Sequence, residues 1–303
     1  MARRRATSMI LAIVLALAAC RTAPPQQPAS GAVAPAPPLR IMTFNIRLDV
    51  ASDGPNAWPY RRDWVASLIR FHGADAVGVQ EALAHMLTEL DARLPGFARV
   101  GVGRADGRAG GEFSAILYHT GRLEVLDHGT FWLSPSPEVA GSKGWDAAIE
   151  RVATWARFRD RRTGCTHLHL NTHFDHIGEQ ARQESARLIR TRLASLAGDL
   201  PVIVTGDLNA DPRSVPYRIF TRDTIAGGIG PLVDAFDASS SGHYGPTSSW
   251  NAFKAIEAGR RIDYVLVSPG IPVLTHGILP DSWDNRFPSD HLPVLAAVGP
   301  TCQ

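Results

Sequence analysis

Three short apolar runs in this chain of 303 residues each stop on a side chain able to do chemistry. Leu39 to Ile46 carries Asn45 near its end, Ala74 to Val79 runs into Gln80-Glu81, and Pro201 to Thr205 runs into Gly206-Asp207. Runs this short and this uniformly apolar read as strands buried on both faces. A polar residue at the tip of such a strand sits where the covered sheet meets water. The chain is thereby limited to architectures in which central sheets are sheltered by other layers and reactive groups gather at strand ends. Candidates for the shelter are present: Arg61 to Phe71, Leu83 to Leu94 and Glu179 to Leu196 repeat apolar residues at spacings of three and four, as amphipathic helices do. Phe113 to Tyr118, Leu123 to Phe131, Val152 to Phe158, His167 to Thr172, Ile262 to Val267 and Pro293 to Val298 supply further strands. The fold class is α/β, and periodicity alone leaves the strand pairing open.

The first twenty residues concern location. Met1 to Arg5 holds three arginines, Met9 to Ala19 is apolar, and Leu17-Ala18-Ala19-Cys20 sets small residues before a cysteine. This is the layout of a secretory signal, and its apolar run falls short of the roughly 20 residues needed to span a bilayer. The tetrapeptide resembles a bacterial lipobox, which implies a lipoprotein signal peptide over residues 1–19 and lipid on Cys20; a plain cleavable signal is the alternative. A chain held this way is attached to a membrane without crossing it. The expected location is the cell envelope, on the periplasmic or surface side, with the lipid anchor as the membrane contact. Residues 20–38, rich in Pro, Ala and Gln, read as an extended tether. Residues 39–303 are then expected to form one α/β domain, large enough for an ample core, and a monomer is expected.

Loss of the first nineteen residues lowers the basic count from 31 to 28 against 29 acidic residues. A surface so near neutrality lacks the broad basic footprint of proteins that bind long nucleic acids. Nucleic acid stays open as a substrate, since a local basic patch is compatible with that balance. Of three cysteines, Cys165 and Cys302 remain beside Cys20. In an oxidising envelope they can pair, and two free thiols are the equal alternative.

Chemistry concentrates in six short motifs: TFN at 43–45, VQE at 79–81, NTHFDH at 171–176, GDLN at 206–209, RIDY at 261–264 and SDH at 289–291. Asp207 and Asn209 lie two apart, so an extended backbone sends both side chains the same way; in isolation the pair reads equally well as an Asx turn. Together and in this order, the motifs resemble the endonuclease/exonuclease/phosphatase family of deoxyribonuclease-I-like, metal-dependent phosphoesterases, from about Arg40 to about Val298.

The resemblance implies a four-layer α/β sandwich with two mainly antiparallel central sheets flanked by helices. It implies that Glu81 binds the metal, that Asn45 orients that carboxylate or reaches the ion, and that Asp290 binds metal or water. Asp207 matches the family's base or water-positioner and Asn209 its partner. His173 and His291 match the phosphate-facing imidazoles, with Asp263 fixing the tautomer of His291. Asn171 is a neighbour of the same parity as His173, on the substrate side, and His176 is a weaker candidate. Mg²⁺ suits such oxygen ligands, with Mn²⁺ as a substitute.

The stretch from Gly129 to Phe158 resembles a bacterial branch of the family. Its Lys143, Trp145, Arg151 and Arg157 are candidates for the substrate side, as is Arg47 just past Asn45; solvated arginines and core aromatics are the alternative. The expected partner is a small phosphorylated molecule such as a sugar phosphate, hydrolysed by a phosphatase or phosphodiesterase. A secreted nuclease and a sphingomyelinase-like lipid-head-group phosphodiesterase are the competing expectations.

Overall fold

A computed structural model describes residues 37–302. The signal segment, Cys20 and the tether as far as residue 36 lie outside the described residues. In chain order the strands are β1 (Leu39–Asn45), β2 (Ala76–Gln80), β3 (Phe97–Val100), β4 (Ile116–His119), β5 (Leu123–Trp132), β6 (Val152–Asp160), β7 (Thr166–His173), β8 (Val202–Asp207), β9 (Val233–Asp234), β10 (His243–Tyr244), β11 (Asp263–Val267), β12 (Val273–Ile278) and β13 (Val294–Val298). The α-helices are α1 (Arg62–Phe71), α2 (Ala84–Arg93), α3 (Glu179–Ala197), α4 (Val215–Thr221) and α5 (Ala235–Ala238).

Seven strands form one sheet in the order β10-β12-β13-β1-β2-β4-β3, and six form the other in the order β5-β6-β7-β8-β11-β9. The pairs β1–β2, β7–β8 and β10–β12 are parallel and the remaining pairs antiparallel, in keeping with the expected architecture. Alternation along β1 shows why its residues are nearly all apolar. Ile41 points between the sheets, while Met42 and Phe44 point outward under α1 and α2. On the far side, Leu168, Leu170, Val202 and Val204 meet Ile189, Leu193 and Phe220 of α3 and α4. The four layers therefore run helix, sheet, sheet, helix.

The spacing that announces α1 is the one it buries, with Val65, Leu68 and Ile69 inward, and the chain turns away through Gly73 at φ +60°. Several elements escape a reading of apolar pattern, β3, β12 and α4 among them. In β12, Thr275, His276 and Gly277 break the run; β3 has four residues, one of them buried. Helix α4 is announced by its cap instead, with Ser214 Oγ accepting from Tyr217 N and Pro216 in the first turn.

A polar seam crosses the space between the sheets. Asn171 Oδ1 accepts from Gln80 Nε2 at 2.7 Å and Thr205 Oγ1 at 3.0 Å, and its Nδ2 donates to the carbonyls of Val79 and Ala115 at 2.9 Å each. Position 78 must be glycine here, because a Cβ would lie 2.3 Å from Asn171 Oδ1. Cys165, in the connection between β6 and β7, is disulfide-bonded to Cys302 with a Cα–Cα distance of 4.9 Å, which decides between the two readings of these cysteines. Among the described residues, no helix is long and apolar enough to cross a membrane.

Candidate active site

Strand register assembles the site. Asp207, the last residue of β8, pairs with His173 at the end of β7 and with Asp263 at the start of β11. Because β11 runs antiparallel to β8, its first residue meets the last residue of its neighbour. On the facing sheet Asn45 ends β1 opposite Gln80, so Glu81 emerges at the same edge. Asn45 Nδ2 joins the two sheets there, donating to Asp207 Oδ2 at 3.0 Å and to Glu81 Oε1 at 2.9 Å.

This contact fixes which way the Asn45 amide faces here. A flipped amide would press oxygen against two carboxylates, so nitrogen belongs between them, and Oδ1 accepts from Arg47 N at 3.0 Å. In this arrangement Asn45 orients Glu81 and Asp207.

A cavity of about 290 Å³ opens at this edge, walled by Arg47, Leu48, Glu81, Glu112, Ile149, Arg151, His173, His176, Asp207, Asn209, Trp250, Asp290 and His291. Three of these residues have left-handed backbones: Arg47 at φ 54°, Glu81 at 63° and Asn209 at 45°. Such conformations are costly for residues with a Cβ and recur at functional sites.

Behind the cavity wall, His291 Nδ1 lies 2.9 Å from Asp263 Oδ2, and its Nε2 lies 3.7 Å from Asp207 Oδ2. Burial works against a charged imidazole, but the carboxylates of Asp263 and Asp207 override it and raise the pKa to about 10. His291 is therefore an imidazolium at neutral pH. Asp207 is pushed up to about 7 by burial and by Asp263, against the pull of His291. His173 is held well below its ordinary value by burial and by the nearby Arg151 and Arg104, and is neutral. Asn209 Nδ2 donates to Phe174 O and lies 3.0 Å from His173 Nε2, which makes that nitrogen the acceptor and places the proton on Nδ1.

Asp207, Asp263 and His291 bring potential ligand atoms within 4.8 Å of one another. In that cluster the imidazole is already protonated and bonded to Asp263, so it reads as a proton-bridged chain in this arrangement. Glu81 and Asp290 fit a hard divalent cation better. Both offer carboxylate oxygens to the cavity, each 3.9 Å from the Arg47 guanidinium, which marks a place that draws positive charge. Burial together with the neighbouring Glu81 raises the pKa of Asp290, the expected mark of unneutralised carboxylates brought together.

The cavity holds Glu81, Asp290, Asp207, Asn209, His173, His291, Arg47 and Arg151, with Asn45 and Asp263 immediately behind. Arg151 is buried, its Nη2 3.1 Å from His176 Nδ1 and its Nη1 without a partner among the described residues. Two expectations are corrected. Asn171 shares the parity of His173 but sits two residues deeper in β7, where all its bonds go to the polar seam and none to the cavity. Trp145 is not among the residues that line the cavity, whereas Ile149 of the same loop is. Arg157 likewise faces away, donating twice to Leu196 O, and Lys143 is exposed, its Nζ directed to Ala148 O. Glu112 was not foreseen. It follows two glycines, the only hint being a carboxylate just before an apolar run, and pairs with Arg104 at 2.6 Å.

Residues 42–291 match the Endonuclease/Exonuclease/phosphatase family. An endonuclease/exonuclease/phosphatase from Bacteroides vulgatus is 38% identical, with 86% of this chain and 98% of that one covered and a TM-score of 0.82. A mannosyl-6-phosphatase from Bacteroides thetaiotaomicron is 35% identical over 86% of this chain and 99% of its own, with a TM-score of 0.78. D. rerio TDP2, solved with a single-strand DNA product, is 17% identical over 86% and 98%, and its TM-score of 0.67 speaks to the fold alone. No curated protein gives a significant match. With the motifs, the register that gathers them and these likenesses in agreement, the chain belongs to the endonuclease/exonuclease/phosphatase family.

Proposed function

We propose that this protein is a divalent-cation-dependent phosphoesterase acting on a small organic phosphate, with a sugar phosphate as the first candidate. The observation that carries the reading is the size and lining of the cavity. At about 290 Å³ it lies at the small end of ligand sites, about 300–1,000 Å³, and its walls combine three imidazoles, two arginines and four carboxylates. The 35% identical mannosyl-6-phosphatase supports a phosphate on a sugar.

Glu81 and Asp290 are the residues that would hold Mg²⁺ or Mn²⁺. The ion would supply positive charge to neutralise the phosphoryl oxygens. Asp207, with its pKa near neutrality, takes a proton from the attacking water as the water oxygen bonds to phosphorus. The bond to the alcohol oxygen breaks on the opposite side, and that oxygen takes a proton from solvent water, giving alcohol and inorganic phosphate. The His291 imidazolium and Arg151 donate hydrogen bonds to the phosphoryl oxygens as charge redistributes, while Asn209 holds His173 and the Phe174 carbonyl in place. Asp263 keeps His291 charged and oriented, and Arg47 is a further phosphate donor.

The same reading places the enzyme on a lipid anchor in the cell envelope. Support comes from the arginine-led apolar segment ending at Cys20 and from the Cys165–Cys302 bridge, a bond favoured in oxidising compartments. Cys20→Ser should release the protein from the membrane fraction, and continued association would refute the anchor.

The deciding experiment measures phosphate release from sugar phosphates, nucleotides and inositol phosphates beside cleavage of plasmid DNA, RNA and sphingomyelin, each with Mg²⁺ or Mn²⁺ and with chelator. Chelator-sensitive release from a small phosphate is the expected result. Cleavage of nucleic acid or of the lipid without small-molecule turnover would replace this reading with a nuclease or a lipid phosphodiesterase.

A further inference from the structure

Arg61 is wholly buried, yet among the described residues no carboxylate pairs with its guanidinium. Its five hydrogen bonds all go to backbone carbonyls: Asn56 at 2.7 Å, Ile46, Arg47 at 2.5 Å, Leu48 at 3.1 Å and Pro288 at 3.2 Å. The rings of Trp58 and Phe253 lie 5.3 and 5.6 Å from its Cζ. Burial lowers its pKa to about 10, with Asp290, Asp53 and Glu81 opposing, so it remains charged. Leaving a guanidinium in such a place is costly unless its donors are filled.

Two of those carbonyls belong to peptide units whose other ends touch the site. The unit with the Ile46 carbonyl has Arg47 N–H on its far side, which donates to Asn45 Oδ1 at 3.0 Å. The next unit, with the Arg47 carbonyl, has Leu48 N–H, which donates to Glu81 Oε2 at 3.1 Å. Each peptide is a relay from guanidinium to a site side chain, and a hydrogen bond at one end polarises the other. On the opposite bank Arg61 holds Pro288, the residue before Ser289, whose Oγ donates to Asn45 O at 2.7 Å, and Asp290 follows. One side chain thus joins the segment that aims Glu81 to the segment that carries Asp290.

We propose that Arg61 is a positioning residue for the cation-facing half of the site, setting the orientation of Glu81 and its separation from Asp290 through the Ile46–Arg47 and Arg47–Leu48 peptides. The proposal rests on the reading that Glu81 and Asp290 hold the cation. A lysine cannot span five carbonyls, so Arg61→Lys keeps the charge and loses the geometry.

Arg190 provides the control. It too is wholly buried and donates to three carbonyls, those of Ile219, Asp223 and Ile229, but joins α3 to α4 away from the cavity. The experiment compares wild type, Arg61→Lys and Arg190→Lys by calorimetric Mn²⁺ binding, thermal midpoint and amide exchange. Arg61→Lys should weaken Mn²⁺ binding by about 10- to 100-fold, the usual loss when an outer partner of a metal ligand is removed. Arg190→Lys should lower the thermal midpoint and leave the Mn²⁺ affinity unchanged. Equal affinities in wild type and Arg61→Lys, or an equal loss in Arg190→Lys, would overturn the proposal. Wild type alone supplies a second measurement should Arg61→Lys not fold: the Arg47 and Leu48 amides should exchange as slowly as the strand interiors, and fast exchange would overturn the relay. If wild type binds no Mn²⁺ while those amides are protected, the cation assignment fails and the role in cation affinity falls with it.

Discussion

Asp207 Oδ2 and His291 Nε2 lie 3.7 Å apart, fully buried, one a carboxyl poised near neutrality and the other an imidazolium. A carboxylate on the opposite ring nitrogen raises the imidazole, while burial and that second carboxylate raise Asp207. The pair therefore holds one group ready to accept a proton and one ready to donate a hydrogen bond at the same pH.

For the reaction, Asp207→Asn should lower turnover by about 100-fold or more, the range for a positioned base, with the circular dichroism spectrum kept. In wild type, kcat/KM should fall as pH drops below about 7, because the acceptor must be deprotonated. A pH-independent rate through that region, or near-normal turnover in Asp207→Asn, would remove it from the role.

Glu81→Ala should raise the Mg²⁺ or Mn²⁺ concentration needed for half-maximal activity, since it removes one of two carboxylates suited to the ion. An unchanged cation requirement, read from a titration at saturating substrate, would exclude Glu81 as a ligand.

Acid stability should depend on two histidines far from the catalytic chemistry. Burial between the sheets holds His167 at about 4 and His169 at about 3, against about 6.5 in an unfolded chain. Below about 6.5 the unfolded chain binds protons that the folded one refuses, so stability is lost as pH falls toward 4, by up to about 1.4 kcal/mol per pH unit per histidine. His167→Phe should flatten this limb in urea unfolding followed against pH. An identical slope would show that His167 does not titrate on unfolding.

The disulfide closes a sequence separation of 137 residues, for which the chain-entropy model gives about 5 kcal/mol. Cys302→Ser should lower the unfolding free energy by an amount approaching that figure. A denaturation midpoint that does not move would mean that the last residues detach before the domain unfolds.

Much of the fold is visible in the chain because burial on both faces leaves few alternatives to Val, Ile, Leu and Ala in β1, β2 and β8. The site is visible because its polar residues interrupt those runs at the tips. Depth within a strand is not visible in the same way. Asn171 and His173 have equal parity, and only the parallel register of β7 with β8 shows that one lies beneath the cavity floor and the other in it. Loop geometry hides Trp145 for a similar reason. Arg61 is concealed differently: an arginine at a helix start reads as solvated, and its burial follows from four chain segments converging on it. Glu112 gives a comparable lesson, since its partner Arg104 is placed by a glycine-rich loop with no apolar pattern to read.

The left-handed backbones of Arg47, Glu81 and Asn209 carry an implication for anyone seeking a hardier version of this protein. Glycine would relax each of them, so random variants ranked by heat resistance alone should drift toward Gly at these positions and toward an inert scaffold. Selection for endurance and selection for turnover pull in opposite directions at these three residues.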